Sequence, residues 1–563
     1  MELMSGGHIV ARALAEAGVD VVFTLVSGHV TPIIDACVDR GIRLVDVRHE
    51  EAAAHMAHAH ARATGRPGVA IVSAGPGVTN TATAVAHAWS SGAPVLVMGG
   101  RAPLAQADRG ALHEMDHVSL MRPITKWAAT VFETRRLAEY VGRALAGCCQ
   151  GRPGPVFLEL PSDVLRDEAQ EPAEWPRAPA TSRMGASDAD LGRATSLLAQ
   201  AERPLIFAGS GVFFSGAAPE LAALAERLNA PVLTSHAARG SIPYEHSCHV
   251  PASRSRGLGG ADVVLVVGSR LNFMLAYGQP PRWNPDGRII QVDIDPAAIG
   301  LNREVDATLV ADARTALAQL LERVEPRSGG GWLAELRELN RRNRERLAAE
   351  SQTDAVPIHP LRLVAELAGA LEEDAYVACD GGDILSFARQ ALPISAPGGW
   401  LDSGPFGCLG YGIAAACAAK IAAPDRQCVA LLGDGAFGLG AVELDTAARH
   451  ELEVLVVVST NGAWAIEATS QEMEFGRSVA AQLERRPYHM LAESLGCDGV
   501  EVTRPDDLPA ALRRPPRGRP LLVNVQTDPL AASPDARRGL GLVPREQAVR
   551  FEGPVPSAAP DRP

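Results

Sequence analysis

The chain has 563 residues, enough for about three domains that each bury a core. Hydrophobic residues make up 47% and charged residues 21%, as in a globular protein, and the net charge of −13 excludes nucleic acid as a general partner while leaving room for local basic pockets. Nine cysteines, an odd number scattered from Cys37 to Cys497, point to free thiols in a reducing compartment. Adjacent Cys148 and Cys149 have no partner pair at zinc spacing and read as packing.

Met1 to Ala17 reads as an amphipathic helix without the basic start and long apolar core of a signal peptide. No apolar run approaches the length of a membrane span, so a cytoplasmic protein with no membrane contact is expected. Strand and helix patterns then alternate. Val21-Val22-Phe23-Thr24, Val69-Ala70-Ile71-Val72, Val95-Leu96-Val97-Met98 and Val156-Phe157-Leu158-Glu159 read as short buried strands of a parallel sheet with helices on both faces. Gly28-His29 falls where the first of these gives way to a helix. Leu44-Val45-Asp46-Val47 runs into Arg48-His49-Glu50-Glu51 and an Ala-rich helix, which places Glu50 at a strand-to-helix junction. That helix carries His55, His58 and His60 with no obvious carboxylate partners, a poor metal pattern. Ser73-Ala74-Gly75-Pro76-Gly77 follows the next strand.

A Pro- and Ala-rich segment from Asp167 to Ser187 reads as a linker. The second unit opens at Pro204-Leu205-Ile206-Phe207-Ala208-Gly209 and continues through Val263 to Val267 and Ile289 to Ile294. After Pro326-Arg327-Ser328-Gly329-Gly330-Gly331, a highly charged helix leads to the third unit. There Leu431-Leu432-Gly433-Asp434-Gly435-Ala436 and the run Val454 to Val458, ending Ser459-Thr460-Asn461-Gly462-Ala463, place an Asp and an Asn at the ends of two strands. Side by side at the carboxyl edge of a parallel sheet, they offer oxygen ligands to Mg²⁺, with Gly433 and Gly435 opening the helix N-terminus to phosphates. Taken alone, Gly-Asp-Gly also reads as a tight turn. The expected architecture is α/β, three doubly wound parallel-sheet domains over residues 1–166, 188–325 and 356–530, with a tail over 531–563.

Arg48-His49-Glu50, Ser73-Ala74-Gly75-Pro76-Gly77 and Gly433-Asp434-Gly435 with Asn461, in this order, resemble the thiamine diphosphate-dependent decarboxylase superfamily, acetolactate synthase-like, over roughly residues 5 to 530. The resemblance implies pyrimidine-binding, central nucleotide-binding-like and diphosphate-binding domains, with thiamine diphosphate and Mg²⁺ as cofactors. Glu50 would hydrogen-bond the aminopyrimidine and promote loss of the thiazolium C2 proton. Ser73, Gly382, Gly407, Leu409, Gly433, Gly435, Ala436 and Ala463 would contact the cofactor, and Asp434, Asn461 and Ala463 the metal. In the turn Asp402-Ser403-Gly404-Pro405-Phe406-Gly407-Cys408-Leu409-Gly410, Leu409 would wedge between the cofactor rings; a glycine-rich helix start with a core leucine is the alternative. The family's two half-sites come from different subunits, which implies a homodimer or homotetramer.

On the substrate side the resemblance brings forward His29, His113 and Glu114 as catalytic candidates. His29 matches a histidine of benzaldehyde lyases. His113 replaces the glutamine of the Phe-Gln-Glu sequence seen in acetolactate synthases and 2-hydroxyacyl-CoA lyases, and as an imidazole it could shuttle a hydroxyl proton or simply hold a hydrogen bond. Gly268-Ser269-Arg270-Leu271-Asn272-Phe273 with Tyr277-Gly278-Gln279-Pro280-Pro281-Arg282 is similar to 2-hydroxyacyl-CoA lyases and oxalyl-CoA decarboxylases. This implies ADP or a coenzyme A nucleotide on Arg152, Gly209, Arg270, Asp293 and Asp312, or FAD if the chain is acetolactate synthase-like. Asp380 to Phe387 lacks the Gln-His-Gln-Met-Trp of acetolactate synthases, and Gly462-Ala463-Trp464 departs from both groups. The leading expectation is a C–C lyase or carboligase, most of all a 2-hydroxyacyl-CoA lyase giving formyl-CoA and an aldehyde or ketone. Acetolactate synthase-like condensation, benzaldehyde lyase-like cleavage of 2-hydroxy ketones and a non-catalytic nucleotide-binding subunit are the alternatives. Arg537, Arg538, Arg545 and Arg550 in the tail read either as a solvated terminus or as a lid over an acyl-CoA.

Overall fold

Valine-rich runs become the central strands of three sheets in a computed structural model that describes residues 3–178, 183–327 and 329–537. The first sheet has the order Arg43–Asp46, Val21–Thr24, Gly68–Val72, Val95–Arg101, Val156–Pro161, Trp127–Thr130, all parallel. Its inner strands are buried along their length because helices cover both faces, which is why they read as continuous apolar runs. The second sheet runs Val232–Thr234, Pro204–Ala208, Val263–Val267, Arg288–Asp293, Ala307–Val310. The third runs Trp400–Leu401, Tyr376–Asp380, Cys428–Gly433, Val454–Thr460, Leu521–Gln526, Asp498–Val502. Both are parallel throughout.

In each sheet the strand order reverses beside the strand that comes first in sequence, and in the first and third sheets again at the far edge; a crevice opens at the carboxyl ends of the two strands flanking the first reversal. In the first sheet these strands are Val21–Thr24 and Gly68–Val72, so the following segments carry His29 and Ser73. In the third they are Tyr376–Asp380 and Cys428–Gly433, followed by Gly382 and Asp434. In the second, Gly209 follows Pro204–Ala208 and Gly268 follows Val263–Val267, and the two loops join where Gly211 N donates to Gly268 O at 3.0 Å.

Two expectations need correction at the ends of the first unit. The segment read as a linker from Asp167 begins as a strand, Glu168–Gln170, paired antiparallel with Leu3–Ser5. The amino-terminal helix therefore covers only Gly6–Glu16, with Ser5 at its N-cap accepting from His8 N. Two short strands that stabilise only each other leave no periodic pattern to read. Among the described residues no helix is long and apolar enough to cross a membrane.

The first and third domains meet through the helices Glu50–Thr64 and Tyr411–Ala422, whose alanines let the backbones approach closely. Buried Arg62 spans the joint, its guanidinium donating to Asp402 O at 2.8 Å and Trp400 O at 2.9 Å. Glu443 anchors the other end, because its buried carboxylate accepts from Arg48 N and His49 N at 3.1 Å and from the Thr446 hydroxyl at 2.7 Å. Glu443→Ala would leave the buried Thr446 hydroxyl and the part-buried Arg48 and His49 N–H groups without this partner, at a cost of about 1–3 kcal/mol. A lower thermal midpoint is expected, with a smaller loss in Glu443→Gln, and an unchanged midpoint in Glu443→Ala would reject the anchoring role.

Candidate active site

Glu50 is the first residue of its helix, behind the N-cap His49, whose ring accepts from Glu51 N at 3.3 Å. One carboxylate oxygen of Glu50 accepts from Asn80 Nδ2 at 2.9 Å. Gly77 lies against the pair formed with Ser73: a Cβ there would sit 2.7 Å from Ser73 Cβ and 3.7 Å from Glu50 Oε1. Ser73 Oγ is buried and has no hydrogen-bond partner, which leaves it free for a ligand. Gly75 takes φ +53° and passes so close to His113 that a Cβ would meet His113 Cβ at 2.7 Å.

His113 stacks on His29, ring centroids 5.4 Å apart and planes 29° apart. Burial, and then the neighbouring His113, lower the His29 pKa, so its imidazole stays neutral at physiological pH. His117 orders the same loop: Nε2 accepts from Gly75 N at 2.7 Å, and Nδ1 lies 2.7 Å from Glu159 Oε1. Glu114 is turned to a different task, because its oxygens accept from Asp108 N, Gly110 N and Ala111 N at 2.6 to 3.0 Å. It orders its own loop, and these hydrogen bonds lower its pKa. Asn80, His117 and Glu159 escaped the sequence reading; a glutamate inside the apolar strand Val156–Pro161 was the available signal.

The second half-site lies at the end of Cys428–Gly433. Asp434 is buried, with Oδ2 accepting from Gly462 N at 2.7 Å and Oδ1 from Gly435 N at 3.1 Å. Burial pushes its carboxyl up to about 6 despite these bonds. Asn461 Oδ1 accepts from Ala463 N at 3.0 Å, which brings the amide oxygen into the loop that Asp434 holds. Gly435 admits the Trp464 ring, which a Cβ would meet at 2.4 Å, and Gly382 admits Ile466 at 2.7 Å in the same sense. Gly433 and Ala436 flank Asp434 at the helix start. Gly407, at φ +70°, and the half-buried Leu409 lie in the turn before Tyr411–Ala422. An all-oxygen donor pair beside a glycine-lined helix start fits a hard divalent cation carrying a diphosphate, and a cation would offset the burial of Asp434. Arg485, whose charge lowers the Asp434 pKa, and Tyr488, packed edge-on against Phe437, complete the surroundings and were not foreseen.

A cavity of about 1770 Å³ opens on the second domain. Arg152, Arg270, Asp293 and Asp312 line it together with Ser210 and Gly211, and Gly209 sits directly behind, where a Cβ would meet Ser269 Cβ at 2.4 Å. Burial raises the Asp293 pKa. Asp312 caps the helix Ala313–Arg323 and pairs with Arg183 at 3.0 Å, while Arg152 donates to Trp89 O and Ser90 O. Arg254, Arg239, Arg282 and Arg389 line the same space; burial and mutual repulsion hold Arg254 down at about 10, a setting that a polyanion would relieve. Arg239, Arg254 and Arg389 were missed because no motif marks them, whereas Arg282 ends the Gln279-Pro280-Pro281-Arg282 stretch singled out in the sequence. At its far end the cavity reaches Asp402, Pro405, Pro534 and Asp535. The tail is docked there, with Ser533 N donating to Asp383 Oδ1 at 3.0 Å and Asp535 N to Ser386 Oγ at 3.3 Å. Arg538, Arg545 and Arg550 lie outside the described residues.

Family models match all three domains: the thiamine pyrophosphate enzyme N-terminal TPP binding domain over residues 4–120, the central domain over 191–320, and the C-terminal TPP binding domain over 380–525. The chain is 40% identical to a probable acetolactate synthase of Mycobacterium bovis, over 95% of this chain and 97% of that protein. It is 33% identical to human 2-hydroxyacyl-CoA lyase 2, over 92% and 89%. It is 32% identical to the acetolactate synthase isozyme 3 large subunit of Escherichia coli, over 94% and 96%.

Proposed function

Because the chain belongs to the thiamine pyrophosphate-dependent, acetolactate synthase-like enzyme family, we propose that it is a C–C lyase and carboligase whose main reaction cleaves a 2-hydroxyacyl-CoA to formyl-CoA and an aldehyde or ketone. Asp434, Asn461 and the Ala463 backbone would hold Mg²⁺ and the diphosphate, with Gly433, Gly435, Ala436 and Gly382 leaving room for it. Gly407 and Leu409 would shape the bend of the cofactor, and Glu50 and Ser73 would meet its pyrimidine. The site is completed between two subunits, in a homodimer or homotetramer, as the family's split half-sites imply.

The stacked His29–His113 pair carries the substrate reading. Cleaving the bond between the thioester carbonyl carbon and the hydroxyl-bearing carbon requires the hydroxyl proton to leave as its oxygen becomes a carbonyl. His29, held neutral by burial, takes that proton, and His113 orients the hydroxyl. Bound thiamine diphosphate supplies the electron sink for the pair of the breaking bond. Asn80 fixes Glu50, His117 and Glu159 fix the loop bearing Gly75, and the arginine-lined cavity takes the coenzyme A phosphates or an ADP.

His29→Ala should lower turnover by about 10²-fold and remove the acid limb of the rate profile. In the wild type that limb lies below the ordinary histidine pKa of 6.5, since protonation of a group with lowered pKa begins only at more acid pH. A profile unchanged by His29→Ala would exclude the imidazole base.

A second reading, condensation of 2-oxo acids, is favoured by the 40% identity to a probable acetolactate synthase and by the cavity, which exceeds the roughly 300–1,000 Å³ of ordinary small-molecule sites and would admit FAD. Incubation with thiamine diphosphate, Mg²⁺ and a panel of 2-hydroxyacyl-CoAs, 2-oxo acids and benzoin, followed by mass spectrometry, separates the two. Formyl-CoA with an aldehyde supports the lyase. Products from 2-oxo acids alone would replace it with the synthase, and products from benzoin alone with 2-hydroxy ketone cleavage.

A further inference from the structure

Distinct from the residues assigned to the cofactor and its metal, three chain segments bring metal-ligand side chains to one point. The helix Glu50–Thr64 supplies His55, the helix Ala82–Ser91 supplies His87, and the turn before Tyr411–Ala422 supplies Cys408. One ligand atom of each lies within 4.8 Å of the other two. Both ring nitrogens of His55 and of His87 are buried without a hydrogen-bond partner. The same holds for His58, which packs on His87 with centroids 4.1 Å apart, and for the Tyr411 hydroxyl. Apart from the Glu51 carboxylate 3.6 Å from His55 Nε2, these buried polar groups have no partner, which is costly unless something binds them.

We propose that His55, His87 and Cys408 form a metal site for a borderline-soft divalent ion, Zn²⁺ first, that ties the cofactor-wedge turn to the pyrimidine-binding domain. Two imidazoles and a thiolate select zinc over the hard ions suited to Asp434 and Asn461. Bond lengths of about 2.0–2.3 Å put tetrahedral ligands about 3.4–3.8 Å apart, so side-chain rotations of about 1 Å close the present arrangement. The ion displaces the thiol proton, which burial otherwise holds firmly in place. Glu51 Oε1 lies 3.6 Å from His55 Nε2, placed to take up that nitrogen when Nδ1 ligates. His60 is excluded: it faces Phe23 on another side of the helix.

Full-length protein stripped by a chelator, incubated with Zn²⁺ and desalted, should retain about one zinc per chain by elemental analysis. Co²⁺ in its place should show a thiolate-to-cobalt charge-transfer band. Cys408→Ser should lose the band, Cys408→Ser and His87→Gln should lose the zinc, and His60→Gln should keep both. Retention of zinc in Asp434→Ala separates this site from the oxygen site. Less than about a tenth of a zinc per wild-type chain, or equal zinc in Cys408→Ser, overturns the proposal. Should the variants fail to fold, the wild-type cobalt spectrum decides, and absence of the sulfur band rejects the site.

Discussion

Asp434→Ala and Asn461→Ala are each expected to lose Mg²⁺-dependent retention of thiamine diphosphate, by about 10²-fold or more, since even residues that only support a metal ligand cost 10–100-fold. Asp434 accepts from Gly462 N with one oxygen and from Gly435 N with the other, which orders both the loop after Val454–Thr460 and the helix start that would face the phosphates. Alanine removes the anionic ligand and frees both N–H groups together. Asn461 contributes a neutral oxygen, so its loss should be the smaller of the two. The pH dependence has a definite sign. Burial raises the Asp434 carboxyl to about 6, so the metal-free protein increasingly favours the neutral acid as pH falls through that value, and the cation must displace a proton to bind. Apparent Mg²⁺ affinity should therefore weaken below about pH 6 in the wild type and lose this dependence in Asp434→Ala. Trp464, seated against Gly435, provides the fluorescence signal for the titration. Wild-type affinity in either variant would remove the metal assignment.

The parallel sheets were legible because strands buried on both faces must be apolar along their length, and Val21–Thr24, Val263–Val267 and Val454–Thr460 are. Glycine and acid at strand ends were legible for a related reason: a strand that ends in Gly433-Asp434-Gly435 leaves the sheet where a helix begins. Trp127–Thr130 was not, since it is an edge strand with two alanines and no β-branched run. Leu3–Ser5 and Glu168–Gln170 hold only each other across the whole first domain, a pairing that local pattern cannot carry. Glu114 shows the limit of motif position: it occupies the place of a family glutamate, yet both its oxygens serve backbone donors of residues 108–111. The meeting of His55, His87 and Cys408 was invisible for the opposite reason. His55 was grouped with His58 and His60 by spacing, whereas helix geometry sends His60 elsewhere and tertiary packing supplies the other two ligands.

Glu50→Gln should keep cofactor binding yet slow exchange of the thiazolium C2 proton by about 10²–10⁴-fold, the usual contribution of a positioned proton-transfer group. The substitution is close to isosteric, and Asn80 can turn its amide to present oxygen to the new side-chain NH₂, so the 2.9 Å contact that fixes Glu50 survives in kind. What disappears is a carboxylate able to share a proton with the pyrimidine ring, the one property that an amide lacks. The expected pattern is therefore the reverse of Asp434→Ala, with binding retained and proton transfer lost. Deuterium exchange at C2, quenched and read by NMR on the bound cofactor, measures this directly and needs no knowledge of the substrate. A wild-type rate in Glu50→Gln would take Glu50 out of the mechanism. Nucleotide binding in the arginine-lined cavity should be unaffected, because Glu50 is not among that cavity's lining residues. Turnover abolished with nucleotide affinity intact separates an enzyme from a subunit that only binds nucleotide.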